Sequence, residues 1–216
     1  MRIVRKSKPK NTLSRLAEKR RGAIMEAAWD LFMEKGYAAV SVDAIVKKAG
    51  GSKATVYELF GSKEGLFYAI INESTGKILA DMTLPDTEGM SIRAAIWKIG
   101  YAITRGVLSY KCTGLFWLSV SVSRRFPDVA HKFYEGGPLK VRRAFADFLS
   151  KETRAGRLRV KNPAWASDIF HGMLLEYNHM EMALGYRKAP SDKEVRRLVD
   201  EAVDAFMSLY GTGKKG

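Results

Sequence analysis

Cysteine is almost missing from this chain. Its one thiol, Cys112, has no partner for an internal disulfide, which excludes a cross-linked secreted scaffold and suits a reducing compartment. Long apolar runs are missing too. The longest, "LFWLSVSV" from Leu115 to Val122, falls far short of the roughly 20 residues that a membrane-spanning helix needs. No apolar stretch follows the basic start, so no signal peptide and no membrane role are expected, and the expected location is the cytoplasm. The sequence has no glycine-rich phosphate loop, no cysteine cluster and no elbow-type serine, which argues against the common enzyme classes. Sustained period-2 alternation is absent, which argues against strands. Acidic residues are in deficit, with 23 Asp and Glu against 37 Lys and Arg and a net charge of +14. That imbalance implies a polyanionic partner, either nucleic acid or an anionic surface.

The positive charge is concentrated at the start. Residues 1–21 carry nine Lys or Arg and one Glu, whereas residues 22–67 carry five basic and six acidic residues. The first segment reads as a basic arm, partly disordered on its own. It is either a solvated tail or an arm that lies on DNA phosphates or enters a minor groove.

From residue 23 onward the period is helical. Ile24, Ala27, Ala28, Leu31 and Phe32 mark one buried face. Gly36 stops that helix. Ser41 caps a second, with Val42, Ile45, Val46 and Ala49 facing inward, and Gly50 and Gly51 end it. Ser52 caps a short helix with Val56, Leu59 and Phe60 inside. Gly61 ends this one, and Ser62 caps a longer helix with Leu66, Phe67, Ile70 and Ile71 inside. The fold class is therefore all-α. A long helix, then two short ones joined by a tight glycine turn, make a helix-turn-helix whose last member enters the major groove of DNA. Lys53 and Lys63 stand at two successive helix starts, where the dipole disfavours a cation unless an anion sits there. With a phosphate in place, the free N–H groups, the dipole and the ammonium all converge on it.

The stretch "SVDAIVKKAGGSKATVYELFGSKEGLF" resembles the DNA-binding domain of the TetR-type transcriptional regulators, with its capped helix, G-x-S turn, T-x-Y-x-x-F and S-K-E-x-L. The resemblance covers residues 22–68. It implies that Ser41 meets a phosphate, that Lys53 and Ala54 face the major groove, that Thr55 and Tyr57 hold the backbone, and that Lys63 clamps a further phosphate. Arg20, Arg21 and Ser52 complete the expected DNA-binding set. The pattern departs from the family at three places. Gly51 replaces a more usual apolar residue and suggests a less rigid turn. Leu59 stands where a His or Tyr is common. Glu58 is either a cytosine reader or a solvated carboxylate.

"DMTLPDTEGMS" at 81–91 reads as a loop before a larger helical domain, taken as residues 69–210, with a flexible tail at 211–216. Apolar helices are expected at 92–110 and 114–125. "RRFPDVAHKFYEGGPLKVRRAFADFLSKETRAGRLRVKNP" resembles the C-terminal domain of the AefR-like subgroup through its R-F-P, F-Y-x-x-G-P and G-x-L elements. That likeness implies a regulatory domain with a small-molecule effector. Trp97, Tyr101, Phe116, Trp117, Val120, Phe148, Met173 and Tyr177 supply large side chains that suit a core or an apolar, aromatic ligand pocket. The 164–185 helix is apolar on a wide arc, and the 192–210 helix carries one stripe. Phe170, Met173, Tyr177, Val199, Val203 and Phe206 are therefore candidate residues of a homodimer interface. His171, Glu176 and His179 lie in "HGMLLEYNHME" and read as polar residues of an interface or pocket wall. A metal site would need a second such motif, so no metal and no cofactor are expected.

The reading that results is a homodimeric, sequence-specific DNA-binding regulator: a repressor that leaves a palindromic double-stranded operator when an apolar effector binds. A DNA-architectural protein without effector and a helical metal-dependent enzyme are the alternatives.

Overall fold

The computed structural model describes residues 10–81 and 84–213. They form ten helices among the described residues: α1 (Lys10–Lys35), α2 (Val42–Ala49), α3 (Lys53–Phe60), α4 (Lys63–Asp81), α5 (Ile92–Val107), α6 (Tyr110–Val122), α7 (Pro127–Gly136), α8 (Pro138–Arg154), α9 (Pro163–Ala183) and α10 (Asp192–Tyr210). The chain divides into two compact units, and the division falls inside α4 between Ile71 and Asn72.

In the first unit, serine caps set the geometry. Ser41 accepts from the Ala44 N–H at 3.2 Å, Ser52 from the Thr55 N–H at 3.2 Å, and Ser62 from the Gly65 N–H at 3.0 Å. Each satisfies a backbone donor that a helix start leaves without a partner. Ile24, Ala28, Phe32, Ile45, Val56, Leu66 and Phe67 are fully buried and join the four helices. Phe32, Tyr37 and Phe67 form an aromatic trio with ring centroids 4.8 to 5.8 Å apart. Gly65 admits no side chain, because a Cβ there would meet the Phe60 carbonyl oxygen at 1.9 Å. That close approach lets α4 start directly against the end of α3.

The second unit is built on α9, which packs against α5, α6, α8 and α10. Its core holds Ile96, Ile99, Phe145, Phe170, Val199 and Phe206, with Phe145, Phe170 and Phe206 in mutual ring contact at 5.0 to 6.2 Å. Asn162 caps α9 through the Trp165 N–H, and Ser191 with Glu194 forms a reciprocal capping box on α10.

Several boundaries differ from those read in the sequence. The basic arm was placed at residues 1–21, but α1 begins at Lys10, so residues 10–21 are helical and continuous with the supporting helix. Charge patterning masks the helix there, because few apolar residues mark a face. Residues 1–9 lie outside the described residues. The expected helices at 92–110 and 114–125 are instead α5 and α6, separated at Leu108–Ser109. Ser109 both donates to the Gly106 carbonyl and accepts from the Cys112 N–H, so it closes one helix and opens the next. The tail expected to be flexible from residue 211 is anchored at its start. Gly211 is buried, pairs with Leu158 in an isolated bridge, and sits beside an Arg159 N–H bond to the Tyr210 carbonyl at 2.9 Å. Residues 214–216 lie outside the described residues.

Candidate nucleic-acid interface and ligand cavity

The start of α3 presents Ser52, Lys53 and Ala54 to solvent, and Tyr57 one turn on is half exposed. Thr55 is turned back toward the cap, its hydroxyl 3.0 Å from that of Ser52. Glu58 is exposed on the same helix. Lys53 already has an anion: its Nζ lies 2.8 Å from Asp43 Oδ1 on α2. The hydrogen bond to Asp43, reinforced by its charge, raises the lysine pKa. The cation at this helix start is thus balanced within the chain, which spacing alone did not reveal. Lys63, at the start of α4, lies 4.3 Å from the centroid of the Tyr37 ring.

Arg20 and Arg21 reach the motif from α1. The Arg21 guanidinium lies 5.6 Å over the Phe60 ring. The Arg20 guanidinium occupies the space beside Gly51, where a Cβ would come within 2.0 Å of it. Gly51 also has φ +102°, a conformation that side chains disfavour. The glycine read in the sequence as a source of looseness is therefore covered by an arginine from another helix.

The second unit holds a partly open cavity of about 400 Å³ between α5, α6, α7, α8 and α9. Of the residues named in advance, Phe116 and Val120 line it. The others do not. Trp97 and Tyr101 stack on each other at 5.2 Å and face α10, where the Trp97 Nε1–H donates to Asp200 and the Tyr101 hydroxyl to Asp192. Phe148 and Met173 pack against the core, Trp117 is at the surface, and Tyr177 is 74% exposed. Helical periodicity reports burial, and it cannot separate a core wall from a cavity wall.

The cavity gains instead Phe133, Tyr134, Val141 and Arg142 from α7 and α8, Cys112 from α6, and His171 and His179 from α9. The sequence left the two histidines as residues of either an interface or a pocket wall, and they stand in the wall. The α7–α8 contribution was not legible, although Pro127 and Pro138 at the two helix starts marked those elements. Arg142 is held by Asp168, to which its Nε–H donates at 2.8 Å and its Nη2–H also donates, while Nη1–H donates to the Tyr134 hydroxyl at 3.0 Å. Burial lowers the pKa of both His171 and His179. Burial also pushes the Cys112 thiol up to about 11. Among the described residues, no three His, Cys, Asp or Glu side chains come together as a metal site.

Four of the proposed interface residues are corrected. Phe170, Val199, Val203 and Phe206 are all 0% exposed inside their own unit, so a second chain cannot reach them. Their stripe is used to pack α10 on α5 and α9. The outward apolar face of α9 consists of Trp165, Tyr177 and Met180, continued by Leu184 just past its end, exposed by 50 to 77%.

A helix-turn-helix on one unit, followed by a larger helical unit that holds a cavity, is the architecture of a helical DNA-binding transcription regulator. Comparison with known proteins gives the family. The model for bacterial regulatory proteins of the tetR family matches residues 24–70, and that for the AefR-like transcriptional repressor C-terminal domain matches residues 94–212. The chain belongs to the TetR family of transcriptional regulators. It is similar to a solved TetR-family regulator from Mesorhizobium loti, with TM-score 0.76 and 26% identity over 91% of this chain and 98% of that one. The flavonoid-responsive regulator FrrA gives TM-score 0.72 and 28% identity over 91% of this chain and all of that one, a coverage of 100%. The HTH-type transcriptional regulator YvkB of Bacillus subtilis is 26% identical over 164 residues, 76% of this chain and 84% of that protein. No described helix is long and apolar enough to cross a membrane.

Proposed function

We propose that this regulator is a homodimeric repressor, acting in the cytoplasm, that binds a palindromic operator and leaves it when a small, largely apolar molecule enters the cavity of its second unit. The observation that carries the reading is the cavity of about 400 Å³, walled by five helices, whose exposed surface is almost wholly apolar although polar side chains stand in its wall. Space of that size in a close-packed domain is unusual and suits one small ligand. The similar protein FrrA is flavonoid-responsive by its name, which supports an aromatic effector class.

In this reading Lys53 and Ala54 face the major groove, with Ala54 against a thymine methyl, and Tyr57 holds the DNA backbone. Ser41, Ser52, Thr55 and Lys63 meet phosphates, and Arg20 and Arg21 bear on the backbone while bracing the turn. The exposed apolar face of α9, with Trp165, Tyr177, Met180 and the adjoining Leu184, meets the same face of a second copy. Selection of genomic fragments by the pure protein tests the DNA half. A single recovered palindrome, bound far more tightly than random duplex, is expected; equal affinity for all fragments would favour an architectural protein. A thermal-shift screen of apolar aromatic compounds tests the other half, and compounds that stabilise the protein should weaken operator binding.

A further inference from the structure

His171 sits at the cavity wall with one ring nitrogen used and the other not. Its Nδ1 lies 2.7 Å from the Ser167 carbonyl oxygen and 3.4 Å from the Ser167 hydroxyl. A carbonyl oxygen can only accept. The Ser167 hydroxyl donates its own proton to the Arg142 carbonyl at 2.9 Å, so it too has only lone pairs to offer His171. Two acceptors therefore fix the proton on Nδ1. In the neutral ring this leaves a lone pair on Nε2, and burial favours the neutral ring. Nε2 is buried and has no hydrogen-bond partner among the described residues. A buried acceptor with nothing to accept is costly and calls for a donor.

The cationic group at the cavity wall is not available to an anionic ligand in the same way. The Arg142 fork is filled by Asp168 and by the Tyr134 hydroxyl. A carboxylate ligand would have to displace Asp168, leaving that charge without its partner. The Ser119 and Ser123 hydroxyls are spent on the Leu115 and Val120 carbonyls, and His179 packs its ring 4.5 Å from that of Phe116, so the rest of the exposed wall is mainly apolar.

Resting on the cavity as the effector site, we infer that it selects a neutral aromatic molecule bearing one hydroxyl or N–H donor, which it gives to His171 Nε2. His171 is the specificity-determining residue: it separates a phenol from the same molecule without the hydroxyl.

Three probes test this by calorimetry or equilibrium dialysis with the full chain: p-hydroxybiphenyl, biphenyl and p-methoxybiphenyl. Simple partitioning would favour the two less polar compounds. The expected result is the reverse, with the phenol bound about tenfold more tightly than either. His171→Phe keeps a ring and removes the acceptor, so the preference should collapse to within about twofold while biphenyl affinity is retained. His171→Gln restores an acceptor oxygen and should recover part of the preference. In the unmodified protein, the Nε2 signal in nitrogen-15 spectra of the histidines should move on adding the phenol and stay put on adding biphenyl, a readout that needs no variant to fold. Equal binding of all three probes, or a preference that survives in His171→Phe, would overturn the donor assignment and leave the cavity as a ligand site. Failure of all three to bind would overturn the inference together with the cavity reading beneath it.

Discussion

At Asp43 and Lys53 a carboxylate and an ammonium are paired 2.8 Å apart at the start of α3, with side chains 69% and 54% exposed. An exposed pair of this kind contributes little to folding. Its effect falls on binding, because a phosphate arriving at α3 must compete with Asp43. Asp43→Asn removes the competitor and one repelling charge. Non-specific duplex should then bind more tightly, with the slope of log affinity against log salt steeper by up to about 0.9 per subunit. Fluorescence anisotropy across a salt series measures it, and an unchanged slope would mean that Lys53 stays off the phosphates. A second residue-scale test concerns Gly51. The Arg20 guanidinium could yield to a methyl group, but φ +102° could not relax without moving the turn. Gly51→Ala should therefore cost about 1–3 kcal/mol in urea unfolding, and Arg20→Ala should rescue only a minor part of it. If the double variant regained full stability, the guanidinium rather than the backbone would be the obstacle.

Helices α9 and α10 show how an apolar face can mislead. The α10 stripe is continuous, but Val199, Val203 and Phe206 spend it inside their own unit, whereas α9 has apolar residues on both its inner and outer sides. The two helices should respond differently to substitution. Phe206→Ala should destabilise the chain by about 3–5 kcal/mol through lost burial and a cavity. Tyr177→Asp with Leu184→Asp should leave the fold's melting transition nearly intact and yield a monomer by light scattering. A dimer that survives both charges would place the interface elsewhere. The elements of the first unit were legible, because serine caps, glycine stops and period-3.6 patterning coincide at α2 and α3, whereas α5 ends at Leu108 without a glycine and its end was not read. The candidate site was legible in part. Phe116 and Val120 were read as core or pocket, and the two histidines as interface or pocket wall, whereas Arg142, Phe133 and Tyr134 were not singled out, since only tertiary packing brings α7 and α8 around the cavity. The basic start of α1 was misread because few apolar residues mark a face there.

The whole molecule combines a strongly basic sequence, with a net charge of +14, and a second unit with two partly buried imidazoles in its cavity wall. The imidazoles tie stability to pH. Burial holds His171 and His179 below their ordinary value of 6.5. In the unfolded chain they take up protons near pH 6.5, and in the folded chain only at lower pH. Between those values the unfolded state binds more protons, so stability is complete above 6.5 and is lost as pH falls toward the folded values. The melting temperature should drop from about pH 7 to about pH 5, and replacing both histidines by Phe should flatten that slope. A profile just as steep without them would assign the loss to carboxylates.

Cys112 is the sole thiol of the 216-residue chain, and it stands in the wall of the cavity. Any thiol-directed dye therefore attaches at a single address, next to whatever the cavity holds. With the thiol pushed up to about 11, only a minute thiolate fraction is present at neutral pH, so labelling is slow and follows access to the cavity. The protein thus carries a built-in gauge of occupancy. The rate at which it takes up one label per chain should fall as the cavity fills, and a wild-type sample can be used to follow it.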